Sequence, residues 1–323
     1  MVQPLIPGFG SVIQERAVCT PADKFAATEN FTDRRIFTCK HCFPAKNCLP
    51  LKVLRCIVTG TQEKKAKMNG KISIHNSAAE MAETPELIRT LQIQQLAFEA
   101  DGHTLPYCQR ITCGNSPGEP VLAVFLHGIG SVGHDNFLQI RIPAAPMVRY
   151  CENRGIKAVL LFPQCEQGYQ WVNVPWNSRS HVMPEVPSLF QSLAMGLVRA
   201  KITEFKPDLR RIYGLGISMG GYGIWDMACR MNDLFAAIAV MCGGADTSQA
   251  PNLRHVAAFL IHGADDSAVP VIRARDMFEA MRRAGNPDVV YRELPGVNHN
   301  VWDPFFADDK GLDWLFAQRR SLS

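Results

Sequence analysis

The sequence predicts an α/β protein built on a mostly parallel sheet of eight strands, with helices covering both faces. From about residue 92, short runs filled mainly by Val, Ile, Leu, Phe and Ala alternate with longer helical patterns, which is typical of such sheets. The runs are apolar on consecutive positions, which indicates strands that are buried on both sides. The apolar and charged fractions, 47% and 20%, are those of ordinary globular proteins.

Eight strands and five helices account for most of the chain after residue 92. The strands are predicted at Gln92–Phe98, Pro106–Thr112, Val121–Leu126, Ala158–Phe162, Arg211–Gly216, Ala236–Met241, Ala257–Ile261 and Val289–Glu293. The helices, assigned by length and apolar spacing, are predicted at Ala144–Asn153, Val186–Phe205, Met219–Met231, Val271–Ala284 and Gly311–Gln318. Asp101-Gly102 is a turn signal, so the first two strands are expected to form an antiparallel hairpin. The segment Cys242 to Val256 is too short for a cap domain.

Residues 1–85 differ from the rest of the chain, and we expect an N-terminal extension followed by one folded domain over residues 86–323. The extension shows no sustained period of 2 or 3.6 residues. It is expected either to be poorly ordered or to precede the true start of translation, for which Met68 is a candidate.

Cysteine spacing in the extension gives only weak support for a metal site. Cys39-x-x-Cys42 with Cys48 and Cys56 could be interpreted as zinc ligands, but the second pair lacks the close spacing that such sites use. No metal is therefore expected. Eleven cysteines in a chain of this length without an export signal favour free thiols over a disulfide framework.

Charge and hydropathy exclude several classes of partner. Residues 1–70 hold 11 Lys/Arg against 5 Asp/Glu, whereas the remainder holds 23 against 25. A nearly neutral folded part gives no reason to expect nucleic acid or an anionic membrane as partner. Without a signal-peptide pattern or 18 consecutive apolar residues, a cytoplasmic protein with no membrane span is expected. The oligomeric state stays open.

The sharpest local motif is Gly216-Ile217-Ser218-Met219-Gly220, between a predicted strand and a predicted helix. It fits Gly-x-Ser-x-Gly, in which small flanking residues let a strained turn close and project the serine hydroxyl above the sheet. The same stretch, starting at Gly214, also resembles a dinucleotide-binding loop. That loop ordinarily belongs to the first βαβ unit, whereas four predicted strands precede this one.

An acid and a histidine, the two partners that a serine nucleophile requires, follow the motif in the chain. Serine becomes nucleophilic when a histidine accepts its proton and a carboxylate orients that histidine. Asp266 follows one predicted strand and His299 follows the last, so both are expected with Ser218 at the carboxyl edge of the sheet. Alone, each has a simpler interpretation, as a turn aspartate or a surface histidine. The spacing His262-Gly263-x-x-Asp266-x-x-Val269-Pro270 favours Asp266, and Asp265 is the alternative acid.

An oxyanion hole requires two backbone N–H donors near the serine. Met219, directly after the nucleophile, is predicted to supply one. The second is assigned to Ile129 in His127-Gly128-Ile129-Gly130, where the glycines allow close approach to a substrate carbonyl. His127 is expected to be a buried structural group.

Together these motifs resemble a known family. Residues 98 to 318 resemble bacterial α/β-hydrolases of the phospholipase/carboxylesterase family, which includes predicted peptidases, feruloyl-esterase-like proteins and relatives of polyhydroxybutyrate depolymerases. The matching segments are His127-Gly128-x-Gly130, Pro163-Gln164-Cys165 with Trp171, Gly216 to Trp225, Cys242 to Asp246, His262 to Pro270, and Gly296 to Asp303. The resemblance implies a serine esterase of the α/β-hydrolase fold, with Ser218, Asp266 and His299 as the catalytic triad.

The substrate is expected to be a small-molecule ester, cleaved without a metal or an organic cofactor. The connection from Pro163 to Pro187 is predicted to wall the pocket through Gln164, Gln170, Trp171, Trp176 and His181, although packing of the tryptophans beneath the loop fits equally well. A serine peptidase would share the triad but would normally add a gating domain or a charged subsite. A catalytically silent binding protein is disfavoured by the intact triad.

Overall fold

The computed structural model describes residues 16–17 and 86–321, which form one nine-stranded sheet with its helices. The predicted extension, with its proposed disorder and its cysteines, lies outside the described residues apart from Arg16–Ala17. The strands are β1 (Arg16–Ala17), β2 (Gln94–Ala100), β3 (His103–Thr112), β4 (Val121–Leu126), β5 (Ala158–Pro163), β6 (Ile212–Ile217), β7 (Ala237–Met241), β8 (Ala257–Gly263) and β9 (Val289–Leu294). All eight predicted strands are present. The two-residue β1 is an addition at the edge, too short to give a sequence signal.

The sheet is mostly parallel, as predicted. Its order is β1-β2-β3-β5-β4-β6-β7-β8-β9; the strands from β5 to β9 in this order run parallel, and β1, β2 and β3 pair antiparallel with their neighbours. The predicted hairpin joins β2 to β3, with Asp101 at φ 52° and Gly102 at φ 76°. Gln92, predicted to begin the first strand, instead has φ 50° and precedes it, so the strand starts two residues later.

The five predicted helices are present, and their ends differ from the prediction by three residues at most. The helices are α1 (Ala144–Asn153), α2 (Leu189–Phe205), α3 (Met219–Arg230), α4 (Ile272–Arg283), α5 (Trp302–Phe306) and α6 (Lys310–Ala317). The prediction placed the start of α2 at Val186, but Ser188 caps it by accepting a hydrogen bond from the Gln191 N–H at 3.1 Å. With five residues, α5 is too short to show a helical period.

Two apolar clusters fill the space on the two faces of the sheet. In β4, Leu122, Val124 and Leu126 belong to one cluster, which contains side chains of α2, α3 and α4. The alternate residues Val121, Ala123 and Phe125 belong to the other, with side chains of α1 and α6. All six residues of β4 are buried, which explains why the strand reads as a continuous apolar run.

This arrangement leaves the carboxyl edge of the parallel strands open. Between β7 and β8 the chain contains only a 3₁₀ helix, Thr247–Leu253, so no cap domain is inserted there. No helix in residues 86–321 has both the length and the apolar character needed to cross a bilayer. The loops after β4, β6, β7, β8 and β9 therefore meet at one accessible edge.

Candidate active site

Ser218 lies on a strained turn between β6 and α3. Its backbone has φ 53° and ψ −118°, a conformation that costs a non-glycine residue on the order of 1–3 kcal/mol. The two motif glycines are needed because backbone approaches both: a Cβ at Gly216 would lie 2.2 Å from the Gly220 oxygen, and a Cβ at Gly220 would lie 1.9 Å from the Leu126 oxygen. The tight turn leaves the Ser218 side chain partly exposed at the edge of the sheet.

The structure brings the three predicted side chains into one series of hydrogen bonds. His299 Nε2 lies 2.9 Å from Ser218 Oγ, and His299 Nδ1 lies 2.7 Å from Asp266 Oδ2. The Asp266 side chain is 0% exposed and that of His299 is 25% exposed. The alternative acid, Asp265, lies on the exposed side of the same loop. The arrangement can pass a proton from the hydroxyl to the imidazole and stabilise the resulting cation.

Hydrogen bonds keep the Asp266 carboxylate ionised despite its burial. Burial would raise its pKa, but hydrogen bonds from His262, His299 and the Val269 N–H outweigh burial and hold the pKa well below the usual 3.8. Its Oδ1 accepts from the N–H groups of Ala268 at 2.9 Å and Val269 at 2.8 Å.

His262 is a member of the site to which the sequence analysis assigned no role. It is fully buried, and its Nε2 lies 3.2 Å from Asp266 Oδ2 and 3.0 Å from the Val269 oxygen. The spacing His262-Gly263-x-x-Asp266 in the sequence indicated that His262 lies near the acid. It was used only to choose between Asp265 and Asp266.

The loop that carries His299 is held against the loop that carries Asp266. Gly263 permits this contact, because a Cβ there would lie 2.0 Å from the Asn298 oxygen. The Asn298 side-chain oxygen also accepts hydrogen bonds from both the N–H and the hydroxyl of Ser267 at 3.1 Å. The position of the imidazole therefore depends on packing between two loops that are 30 residues apart in sequence.

Both predicted oxyanion donors lie at the first position of a helix. Met219 begins α3, and Ile129 begins the 3₁₀ helix Ile129–Ser131. N–H groups in a first helical turn have no partner within the helix, so they are available to a ligand. The two elements are adjacent, since a Cβ at Gly128 would lie 3.5 Å from the Ser218 Cβ.

His127 is a buried structural group, in line with the prediction. Burial lowers its pKa to about 4, although the Gly128 carbonyl opposes the shift. Its Nδ1–H donates to the Gly128 oxygen at 2.7 Å, and its Nε2 accepts from the Cys165 N–H at 2.9 Å. A neutral imidazole thus joins the loop of residues 127–131, called the Ile129 loop below, to the segment that follows β5.

Two residues predicted to wall the substrate pocket are buried instead. Trp171 is 0% exposed and donates its indole N–H to the His127 oxygen at 3.0 Å, so the packing alternative applies to it. Gln164 is also 0% exposed; its amide donates to the Ser131 oxygen at 3.1 Å and its oxygen accepts from the Asn136 N–H at 2.7 Å. Both support the Ile129 loop from below. Trp176 is half-buried, and its carbonyl accepts from the Tyr222 hydroxyl at 2.9 Å.

A cavity of about 630 Å³ adjoins the Ile129 loop at Gly130 and Ser131. It is lined by Glu86, Leu87, Thr90, Gly130, Ser131, Phe137, Leu138, Arg141 and Ile142. Its volume is in the range of small-molecule sites. Sequence analysis missed it because its two walls come from segments about 40 residues apart.

Cys242, Asp266 and His299 have ligand atoms within 4.8 Å of one another, but they are poorly suited to a metal. Burial raises the pKa of the Cys242 thiol well above its usual value, which disfavours the thiolate that metals bind. Both ring nitrogens of His299 already face Asp266 and Ser218. The cluster is therefore better explained by hydrogen bonding than by metal ligation.

The chain is similar to one protein family and to several solved structures. Residues 106–310 match the model of a family described as Phospholipase/Carboxylesterase. A solved thermostable esterase is 28% identical, with a TM-score of 0.65, and the match covers 72% of this chain and 64% of that one. The chain thus spans less than two thirds of that esterase.

More distant structures share the fold alone. A ferulic acid esterase is 17% identical with a TM-score of 0.51, covering 70% of this chain and 97% of that one. A puromycin-hydrolysing peptidase of Mycobacterium tuberculosis is 14% identical with a TM-score of 0.51, covering 68% and 38%. No curated protein sequence is significantly similar to the chain.

Proposed function

Because the chain belongs to the phospholipase/carboxylesterase family of α/β-hydrolases, as its motifs predict, we propose that it hydrolyses carboxylic esters with Ser218 as nucleophile. The observation that carries the proposal is the continuous hydrogen bonding from Ser218 Oγ through His299 to Asp266, at 2.9 and 2.7 Å. The activity is assigned to residues 86–323.

Acylation begins with attack of Ser218 Oγ on the ester carbonyl carbon. His299 Nε2 accepts the hydroxyl proton, and Asp266 stabilises the imidazolium. The carbonyl oxygen becomes an oxyanion, which accepts hydrogen bonds from the N–H groups of Met219 and Ile129. When the intermediate collapses, His299 returns the proton to the departing alcohol, and the acyl group stays on Ser218.

Deacylation repeats these steps with water as the nucleophile. His299 removes a proton from a water molecule while the water oxygen attacks the acyl carbon. The N–H groups of Met219 and Ile129 hold the second oxyanion. Collapse releases the carboxylic acid and returns the proton to Ser218 Oγ. No metal or organic cofactor has a role in this cycle.

An open edge without a cap domain suits a small-molecule ester. The cavity next to Gly130 and Ser131 adjoins the proposed oxyanion donor, so an acyl or alcohol group bound with its carbonyl at Ile129 can extend into it. Apolar side chains at Leu138 and Ile142 favour the hydrocarbon part of such a group.

Replacement of Ser218 by Ala tests the proposal. We expect turnover of p-nitrophenyl acetate and labelling by a fluorophosphonate probe to be lost together, with kcat reduced by on the order of 10⁴-fold or more. Ser192→Ala is the matched control, since Ser192 is an exposed serine on α2 whose hydroxyl donates to the Ser188 carbonyl. Unchanged turnover in Ser218→Ala would refute the assignment. Cleavage of peptide amides faster than esters by the wild-type protein would favour the peptidase alternative.

A further inference from the structure

Arg273 is a buried cation without a carboxylate at ion-pair distance among the described residues, although the charge of Asp276 lies close enough to favour its charged form. It is 2% exposed and is the second residue of α4, where the positive end of the helix dipole opposes a cation. Burying a charge in such a place is costly unless its other contacts compensate. Those contacts therefore indicate the role of the side chain.

The Arg273 guanidinium joins the connection before α2 to helix α3. It donates one hydrogen bond to the Ser178 oxygen at 3.3 Å and another to His181 Nδ1. It also lies 5.1 Å from the centre of the Tyr222 ring, a cation–π contact.

This contact fixes the tautomer of His181. A guanidinium can only donate, so Nδ1 must accept, and the proton of the neutral imidazole lies on Nε2. Burial, reinforced by the Arg273 charge, lowers the pKa of His181 to about 4, so the ring is neutral near neutral pH. Nε2 has no hydrogen-bond partner in the described part of the chain, and it is not one of the buried unpaired atoms. The Nε2–H group is therefore a free donor that reaches solvent.

The donor lies near helix α3, which begins directly after the proposed nucleophile. The His181 ring is 5.6 Å from that of Tyr222, which follows Ser218 by one helical turn, about 6 Å along the axis. Arg273 also crosses Gly244, where a Cβ would lie 2.4 Å from its Nε. Gly244 comes two residues after Cys242, whose Sγ is 4.0 Å from His299 Nε2.

We propose that His181 determines substrate specificity by donating its Nε2–H to an oxygen acceptor on the acyl or alcohol part of the ester. The preferred substrates are then esters that carry a further ether, hydroxyl or carboxylate oxygen, in place of plain alkyl esters. The inference rests on the proposed function, since it concerns a substrate bound at Ser218.

Matched esters that differ by one oxygen in place of a methylene test the inference. The acyl pair is p-nitrophenyl 3-methoxypropanoate and p-nitrophenyl pentanoate, and the alcohol pair is 2-methoxyethyl and butyl butyrate. His181→Asn keeps an acceptor for Arg273 but removes the outer donor, whereas His181→Gln places an N–H near the Nε2 position and loses the inner acceptor. The kcat/KM ratio of each pair, compared between proteins, cancels differences in intrinsic reactivity.

We expect the ratio for one pair to fall three- to tenfold in His181→Asn and to be largely retained in His181→Gln. His255→Asn, a change at an exposed histidine remote from Ser218, should leave it unchanged. The opposite order, with His181→Asn like wild type and His181→Gln impaired, would overturn the inference and leave only a structural contact with Arg273. Unaltered ratios in both variants would also overturn it. Failure of the wild-type protein to turn over any ester would instead overturn the proposed function, and the inference with it.

Discussion

His262 Nε2 and His299 Nδ1 face the same oxygen of Asp266, at 3.2 and 2.7 Å. One carboxylate oxygen therefore serves the imidazole proposed to act as base and a second imidazole that is fully buried behind it. Because Asp266 Oδ1 is occupied by two backbone N–H groups, the carboxylate is held at both oxygens. A carboxylate held in this way cannot rotate away from His299 without losing several hydrogen bonds.

Removal of the buried donor should therefore impair catalysis without touching the proposed nucleophile. We expect His262→Leu to lower kcat for p-nitrophenyl acetate by about ten- to a hundredfold, since a hydrogen bond to a charged group is lost. The pKa of Asp266 should rise at the same time, because fewer hydrogen bonds then oppose the effect of burial. Steady-state kinetics measure the fall in kcat, and an NMR titration of the Asp266 carboxyl carbon measures the shift in its pKa.

Two further variants separate orientation from folding. His262→Gln retains an N–H near the Nε2 position and should recover most of kcat, whereas His255→Leu removes an exposed histidine and should have no effect. A His262→Leu protein with normal kcat and an unshifted Asp266 pKa would show that the backbone N–H groups alone position Asp266.

Asp266 should also make stability depend on pH. The pKa of Asp266 in the folded protein lies below its value near 3.8 in the unfolded chain. The ionised carboxylate therefore stabilises the folded protein at pH values above 3.8. This contribution is lost as pH falls from the unfolded pKa towards the folded one. We expect the difference in Tm between wild type and Asp266→Asn to shrink between about pH 5 and about pH 3. Carboxylates elsewhere titrate alike in both proteins, so a constant difference across this range would contradict the predicted coupling.

The sequence was sufficient to predict the strands and the proximity of Ser218, Asp266 and His299 at one edge of the sheet. Ser218, Asp266 and His299 each lie in the segment that follows a strand, namely β6, β8 and β9. Parallel strands bring their carboxyl ends to one edge of a sheet, so these three segments meet there.

The surroundings of these side chains could not be predicted, because burial depends on tertiary contacts. Trp171 and Gln164 were predicted as pocket walls from their position in a long loop, yet both lie beneath it, with their polar atoms bonded to the Ile129 loop. His181, in the same loop, is half-buried, and Arg273 donates to its Nδ1. Arg273 itself belongs to α4, about 90 residues later, and nothing in the local sequence links the two.

Close packing around Ser218 predicts that two glycines in neighbouring segments differ in how well they tolerate a side chain. A Cβ at Gly220 would lie 1.9 Å from the Leu126 oxygen and 2.7 Å from the His127 oxygen, both backbone atoms that cannot move without shifting the Ile129 loop. A Cβ at Gly130 in that loop would meet nothing within 4 Å. We expect Gly220→Ala to lower the free energy of unfolding by on the order of 3 kcal/mol and to reduce ester turnover. Gly130→Ala should stay within about 0.5 kcal/mol of wild type. Urea midpoints with unchanged slopes measure the difference, and equal stability of the two variants would mean that the turn at Ser218 is looser than these contacts require.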